Sequence, residues 1–144
     1  MPTAERKDPY NLERFLNAQK PVFEQVCAEL RNGHKETHWM WFIFPQIYGL
    51  GHSSTSAHYA IRSLEEAKAY LNHPTLGARL IECCTLVNAI EGRTIRQIFG
   101  YPDDLKFRSS VTLFAQADSR NEVFASALER YFGGELDRAT LARL

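Results

Sequence analysis

The chain has 144 residues, 17 basic and 17 acidic, and 44% of its side chains are hydrophobic, which matches one globular domain stable without disulfides or a structural metal. A formal net charge of zero provides no overall field to draw it onto nucleic acid or an anionic membrane. The longest apolar run, Trp39 to Pro45, is far too short to span a bilayer.

Cys27, Cys83 and Cys84 form neither an even framework nor a CxxC zinc spacing, and they read as small buried hydrophobes in a reducing compartment. Met1 to Tyr10 is polar and lacks the apolar stretch of a signal peptide, so a cytoplasmic location is expected, with residues 1–9 flexible.

Helix punctuation recurs along the chain. Asn11 is expected to cap a first helix with Leu12, Phe15 and Leu16 on one face. Pro21 separates it from a second, in which Val22, Phe23, Val26, Cys27 and Leu30 repeat at three and four before a terminal Gly33. Ser63 and Glu66 form a capping box for a helix through Ala67, Tyr70 and Leu71. Pro74 is expected at the first position of the next helix, which runs through Leu76, Leu80, Cys83, Cys84 and Val87 towards Gly92. Thr94 to Phe99 reads as a short helix closed by Gly100. Asp103 is expected to cap another running towards Phe114, against the weak helix preference of Val111 and Thr112. Asn121 caps a helix ended by Gly133-Gly134, and Asp137 to Leu144 forms a last one. Apart from an expected extended piece at Trp41–Phe44, strand alternation is nearly absent. The expectation is a mainly α, single compact domain over residues 1–144, with seven to eight helices and no substantial β-sheet.

The informative stretch runs from His34 through Gly51 to Tyr59. It holds both tryptophans, other aromatics, four histidines and two closely spaced glycines. Burying such aromatics stabilises a fold by about 1.5–3 kcal/mol each, so the segment serves as core on the simplest account. That account explains Phe42 and Phe44 better than the polar members. An aromatic floor with a few polar groups and a glycine turn is also how small-molecule pockets are built. His38 is a candidate general acid/base, since histidine titrates near neutrality, and equally a structural histidine. Trp39 and Trp41 would share a face able to stack a planar ring if the segment were extended, and diverge if it were helical. Gln46, Ser53, Ser56 and Tyr59 are further candidate ligand contacts, although Ser53 and Ser56 serve as well as helix caps.

His34, His38, His52 and His58 raise the question of a metal. Only the 34/38 pair has one-turn spacing, and Gly33 works against a helix there, so no metal and no cofactor is expected. Gly49-Leu50-Gly51 lacks the strand and length of a dinucleotide fingerprint. A second patch, Lys106-Phe-Arg-Ser-Ser110, could hold phosphate or carboxylate through Lys106, Ser109 and Ser110 if it opens a helix; otherwise it is an ordinary solvated helix. Arg14 and Gln19 are polar residues available to face the same cavity.

The run HWMWFIFPQ (38–46), Gly49-Leu50-Gly51, Ser53-x-x-Ser56, EEAKAYLNHPTLGARL (65–80) and DLKFRSSVTLF (104–114) together resemble closely an uncharacterised bacterial family. Genome annotations sometimes label it "calpastatin". The resemblance extends from Phe15 to the Asp137–Thr140 tail; it implies a small, mostly helical protein and assigns no activity. Phe15-Leu-Asn-Ala-Gln19 is also similar to the aromatic-x-x-Ala-Gln helix of YbiA-like (NADAR) proteins, which implies action on N-glycosidic or ADP-ribosyl compounds. The tryptophan-glycine-rich stretch near the C-terminus of those proteins has no counterpart here.

Two classes of function follow. In the first, the chain binds or hydrolyses a nucleotide-like or ADP-ribose-like N-glycoside, with the ring on Trp39 or Trp41, His38 and Gln46 in contact, and an anionic group on Lys106 with Ser109 or Ser110. This first reading requires His38, Trp39 and Lys106 to share one cavity; separate surfaces would sink it. In the second, the chain is a non-enzymatic helical interaction module that exposes Trp39, Trp41 and Tyr48 to a partner. The oligomeric state is not legible in the sequence.

Overall fold

A computed structural model describes residues 8–144; of the segment expected to be flexible, residues 1–7 lie outside the described ones. Ten helices are present among the described residues: α1 (Glu13–Gln19), α2 (Phe23–Arg31), α3 (Met40–Ile43), α4 (Ser54–Tyr59), α5 (Leu64–Asn72), α6 (Leu76–Asn88), α7 (Ile95–Phe99), α8 (Asp103–Ala117), α9 (Glu122–Phe132) and α10 (Arg138–Leu141). The fold is mainly α as expected, but with ten helices rather than seven to eight. The short α3 and α4 in the aromatic segment contribute to that difference.

Local chemistry explains most boundaries. The Asp8 carboxylate accepts the N–H groups of Leu12 at 2.6 Å and Glu13 at 3.0 Å, taking the capping role expected of Asn11. Asn11 instead turns the chain at φ 53°, a left-handed conformation that asparagine tolerates. At the end of α2, Gly33 has φ 71°. Its N–H donates to the Leu30 carbonyl at 3.0 Å and that of His34 to the Glu29 carbonyl at 3.1 Å, a paired closure that requires the left-handed residue.

Three expected caps differ in detail. Ser63 caps α5 through the Glu66 N–H, while the Glu66 carboxylate turns to the Arg62 N–H rather than completing a box. Pro74 lies before α6, and His73 Nδ1 accepts from the N–H groups of Thr75 and Leu76. Asp103 is the first residue inside α8, where its charge suits the positive end of the helix dipole.

The expected extended piece at Trp41–Phe44 is largely the helical turn α3. Trp39, Met40, Ile43 and Phe44 are all buried, and positions spaced this way form one stripe of a helix, not of a strand. The turn survives because it delivers all four into the core. An isolated parallel bridge joins Ile47 and Ile61. The core lies where α8 packs on α5 and α9, and α6 on α2, α5 and α9. Val111 and Thr112 are fully buried within α8, so packing overrides their helix propensity. Among the described residues no helix is long and apolar enough to cross a membrane.

Candidate functional site

The aromatic segment divides into a buried half and a groove-lining half. On the buried side, Trp39 is 1% exposed, and its indole N–H donates to Glu29 Oε1 at 2.9 Å. Glu29, also 1% exposed, accepts the N–H groups of Glu36 and Thr37, the Thr37 hydroxyl at 2.6 Å and the Gln25 amide. Burial raises the affinity of this carboxyl for its proton, but the hydrogen bonds outweigh it and hold the group at about 2. A buried carboxylate with five donors is a structural anchor for the 34–39 loop. Trp39 is therefore core and cannot stack a ligand without opening the fold, because its ring is buried beside Phe44 and Phe99.

His38 is exposed and lines none of the cavities around the aromatic segment. His38, Trp39 and Lys106 consequently share no cavity, and the first functional reading, which required them together, does not hold as stated. Ser110 departs as well: it is fully buried, and its hydroxyl has no hydrogen-bond partner. Arg14 and Gln19 are committed elsewhere. Arg14 uses its guanidinium on the carbonyls of Tyr10, Asn11, His58 and Ala60 and on Glu66 at 2.8 Å, tying α1 to α4 and α5. Gln19 is buried and donates to the Phe42 carbonyl and the Tyr70 hydroxyl.

The other candidates do come together. A groove with two adjoining lobes that share a wall at Trp41 and the 46–56 loop has one of about 340 Å³ against α4 and one of about 470 Å³ facing α8 and α10. Trp41, Gln46, Gly51, His52, Ser53 and Ser56 line both lobes. Tyr59 lines the loop-side lobe; Lys106 and Ser109 line the α8-side lobe with Leu50, Pro102 and Leu105. Chain distance is no guide here, since residues near 41 and near 106 meet through packing.

The roles within the groove differ. Ser53 and Ser56 form a reciprocal capping box at the start of α4, so their hydroxyls are partly occupied by the backbone. The Ser109 hydroxyl donates within α8 or to Asp137, inside α8 rather than at its start, which removes it as a free anion contact. Lys106 is the cation left at the groove. Its Nζ lies 5.2 Å from the centre of the Trp41 ring and 3.4 Å from Asp103 Oδ1, while Lys35 holds the other Asp103 oxygen at 2.9 Å.

The sequence does not single out Glu29; it offers Asp103 only as a helix cap and His52 only among the metal candidates, whereas His52 lines the groove and Asp103 pairs with two lysines. For Glu29 a signal existed, since position 29 falls among the buried positions of Val26, Cys27 and Leu30 in α2. For Asp103 none did: its two lysine partners lie three residues and sixty-eight residues away in sequence. The histidines do not gather; no group of three or more His, Cys, Asp or Glu side chains able to hold a metal lies together among the described residues. Burial pushes the Cys84 thiol up to about 12, consistent with a small packed side chain of low reactivity.

Comparison with known proteins places the chain without assigning it an activity. No curated protein matches it. The crystal structure of a conserved hypothetical protein, Rv1873 from Mycobacterium tuberculosis, is 55% identical and superposes with a TM-score of 0.94, covering 95% of this chain and 98% of that one. A family model described as "protein of unknown function (DUF1810)" matches residues 9–144, and the chain belongs to that family.

Proposed function

We propose that the groove on Trp41 is a binding site for a small organic molecule that carries a planar ring and an anionic substituent, nucleotide-like in those two respects. The observation that carries this reading is the convergence of Trp41 from α3, Gln46 from the following loop and Lys106 from α8 on one groove. Trp41 supplies a half-buried aromatic face, Gln46 an amide that can donate and accept, and Lys106 a cation. An open groove with an apolar lip and a few polar groups suits binding. The groove binds and carries no assigned hydrolytic step, since the candidate acid/base His38 lies outside it.

The test is a thermal-shift screen of the purified protein against AMP, ADP-ribose, NAD and sugar phosphates. A ligand at about 100 times its dissociation constant adds about 2.7 kcal/mol to stability, a clear rise in melting temperature for a domain of this size. A shift lost in Trp41→Ala, with the melting temperature of the free variant near that of wild type, supports the reading. A flat screen overturns it and favours the interaction module, for which, of the three aromatics it would expose, Tyr48 is exposed (47%) while Trp41 is half-buried and Trp39 is core.

A further inference from the structure

We infer that Lys106 is a charge-selective cover on the Trp41 ring, so that the groove admits anionic aromatic ligands and discriminates against neutral ones. The inference rests on the groove reading and adds to it the residue that sets specificity. Lys106 and Trp41 line the same lobe, and the ammonium lies over the indole face at 5.2 Å. A neutral ring can stack there only by displacing the ammonium from the indole face, and it offers nothing in exchange for the lost cation–π contact. An anionic substituent beside the ring attracts the ammonium off that face and uncovers it.

The ion-pair geometry makes such an exchange possible. Asp103 meets Lys35 at 2.9 Å and Lys106 at 3.4 Å, so one carboxylate is shared between two ammonium groups. The shorter contact goes to Lys35, whose side chain is 7% exposed. Lys106 keeps the longer contact and is 27% exposed. It is thus the surplus cation of the trio, held weakly enough by Asp103 to change partners. Lys35 also sits over a tryptophan ring, that of Trp39 at 5.1 Å, but Trp39 is core and its lysine covers nothing that a ligand could reach.

The cover can be read without a known ligand, by collisional quenching of tryptophan fluorescence. Trp39, 1% exposed, is silent to quenchers, and a Trp41→Phe control confirms that the accessible emission belongs to Trp41. In the wild type the iodide-to-caesium quenching ratio is expected to exceed that of free N-acetyltryptophanamide by about threefold or more, because a cation over the ring concentrates anions there. In Lys106→Met the ratio falls towards that of the free amide and neutral acrylamide quenches more; in Lys106→Arg the raised ratio stays. A wild-type ratio equal to that of the free amide, or an unchanged ratio in Lys106→Met, overturns the inference.

A second arm measures ring ligands directly, with AMP and adenosine compared by calorimetry. Wild type is expected to bind AMP about tenfold or more tightly than adenosine, a gap of about 1.4 kcal/mol. Lys106→Met weakens AMP and strengthens adenosine, opposite changes that a merely disturbed groove does not produce. Loss of both ligands together in Lys106→Met overturns the inference. If neither ligand binds the wild type while the iodide preference is present, the groove reading fails and the electrostatic cover on Trp41 stands.

Discussion

The indole N–H of Trp39 meets the carboxylate of Glu29 at 2.9 Å with both residues 1% exposed, and this pair decides which half of the aromatic segment is structure and which is left for a ligand. The carboxylate draws the 36–39 backbone inward, Trp39 follows it into the core, and the turn of α3 then presents Trp41 at the groove. Binding by Trp41 therefore depends on an anchor that the ligand never touches.

Removing that anchor is costly. Glu29→Ala leaves five donors without their acceptor, and an expected loss of about 3–5 kcal/mol follows from breaking a buried charged network. Urea denaturation followed by tryptophan emission measures it, with a red-shifted folded baseline as Trp39 becomes wet. A loss below about 1 kcal/mol would show that water replaces the carboxylate without strain.

The same carboxylate predicts an acid limit. Its proton affinity in the folded state corresponds to about 2, against 4.5 for the ordinary value, so the folded form binds the proton less tightly than the unfolded one. A depressed value means that the stabilisation is present above about 4.5 and lost as pH falls towards about 2, amounting to about 3 kcal/mol. Stability measured between pH 6 and pH 2.5 should fall more steeply in wild type than in Glu29→Gln. Parallel profiles would remove Glu29 as the source.

Gly77 tests packing against propensity. It is the second residue of α6, where helix propensity favours alanine over glycine by at most about 1 kcal/mol. A Cβ there would stand 2.0 Å from the Leu71 carbonyl oxygen, and the obstacle is backbone, which cannot rotate away. Gly77→Ala is expected to destabilise by about 2–4 kcal/mol by thermal denaturation, as overpacking against the end of α5 outweighs propensity. A more stable variant would mean that α5 and α6 move apart freely.

The cap of α4 is predicted to act locally. No residue of α4 is buried; it is held by the Ser53–Ser56 box at its start, by the Tyr59 contacts with Phe15 and Phe42, and by Arg14 on the His58 and Ala60 carbonyls at its end. Ser53→Ala costs about 1 kcal/mol of helix stability. Faster hydrogen exchange over residues 54–59, with a nearly unchanged melting temperature, is the expected outcome. A large drop in melting temperature instead would show that α4 unfolds with the whole domain.

The sequence by itself determined the elements whose information is local. Gly33, Gly100 and Gly133 stop helices because glycine enters conformations that other residues resist, and Ser63, Thr94, Asn121 and Asp137 cap helices because their side-chain oxygens reach the free N–H groups nearby. Trp41, Gln46, Ser53, Ser56, Tyr59, Lys106 and Ser109 were likewise legible as candidates for one site. Only the tertiary structure decided that Trp39 is core, that His38 and Ser110 lie apart from the groove, and that Asp103 stands between Lys35 and Lys106. From Trp39 to Phe44 every position is apolar, so no periodicity marks the inward stripe. The choice is made by Glu29, on a different helix and ten residues earlier, whose carboxylate could be buried only by gathering the donors that pull Trp39 inside.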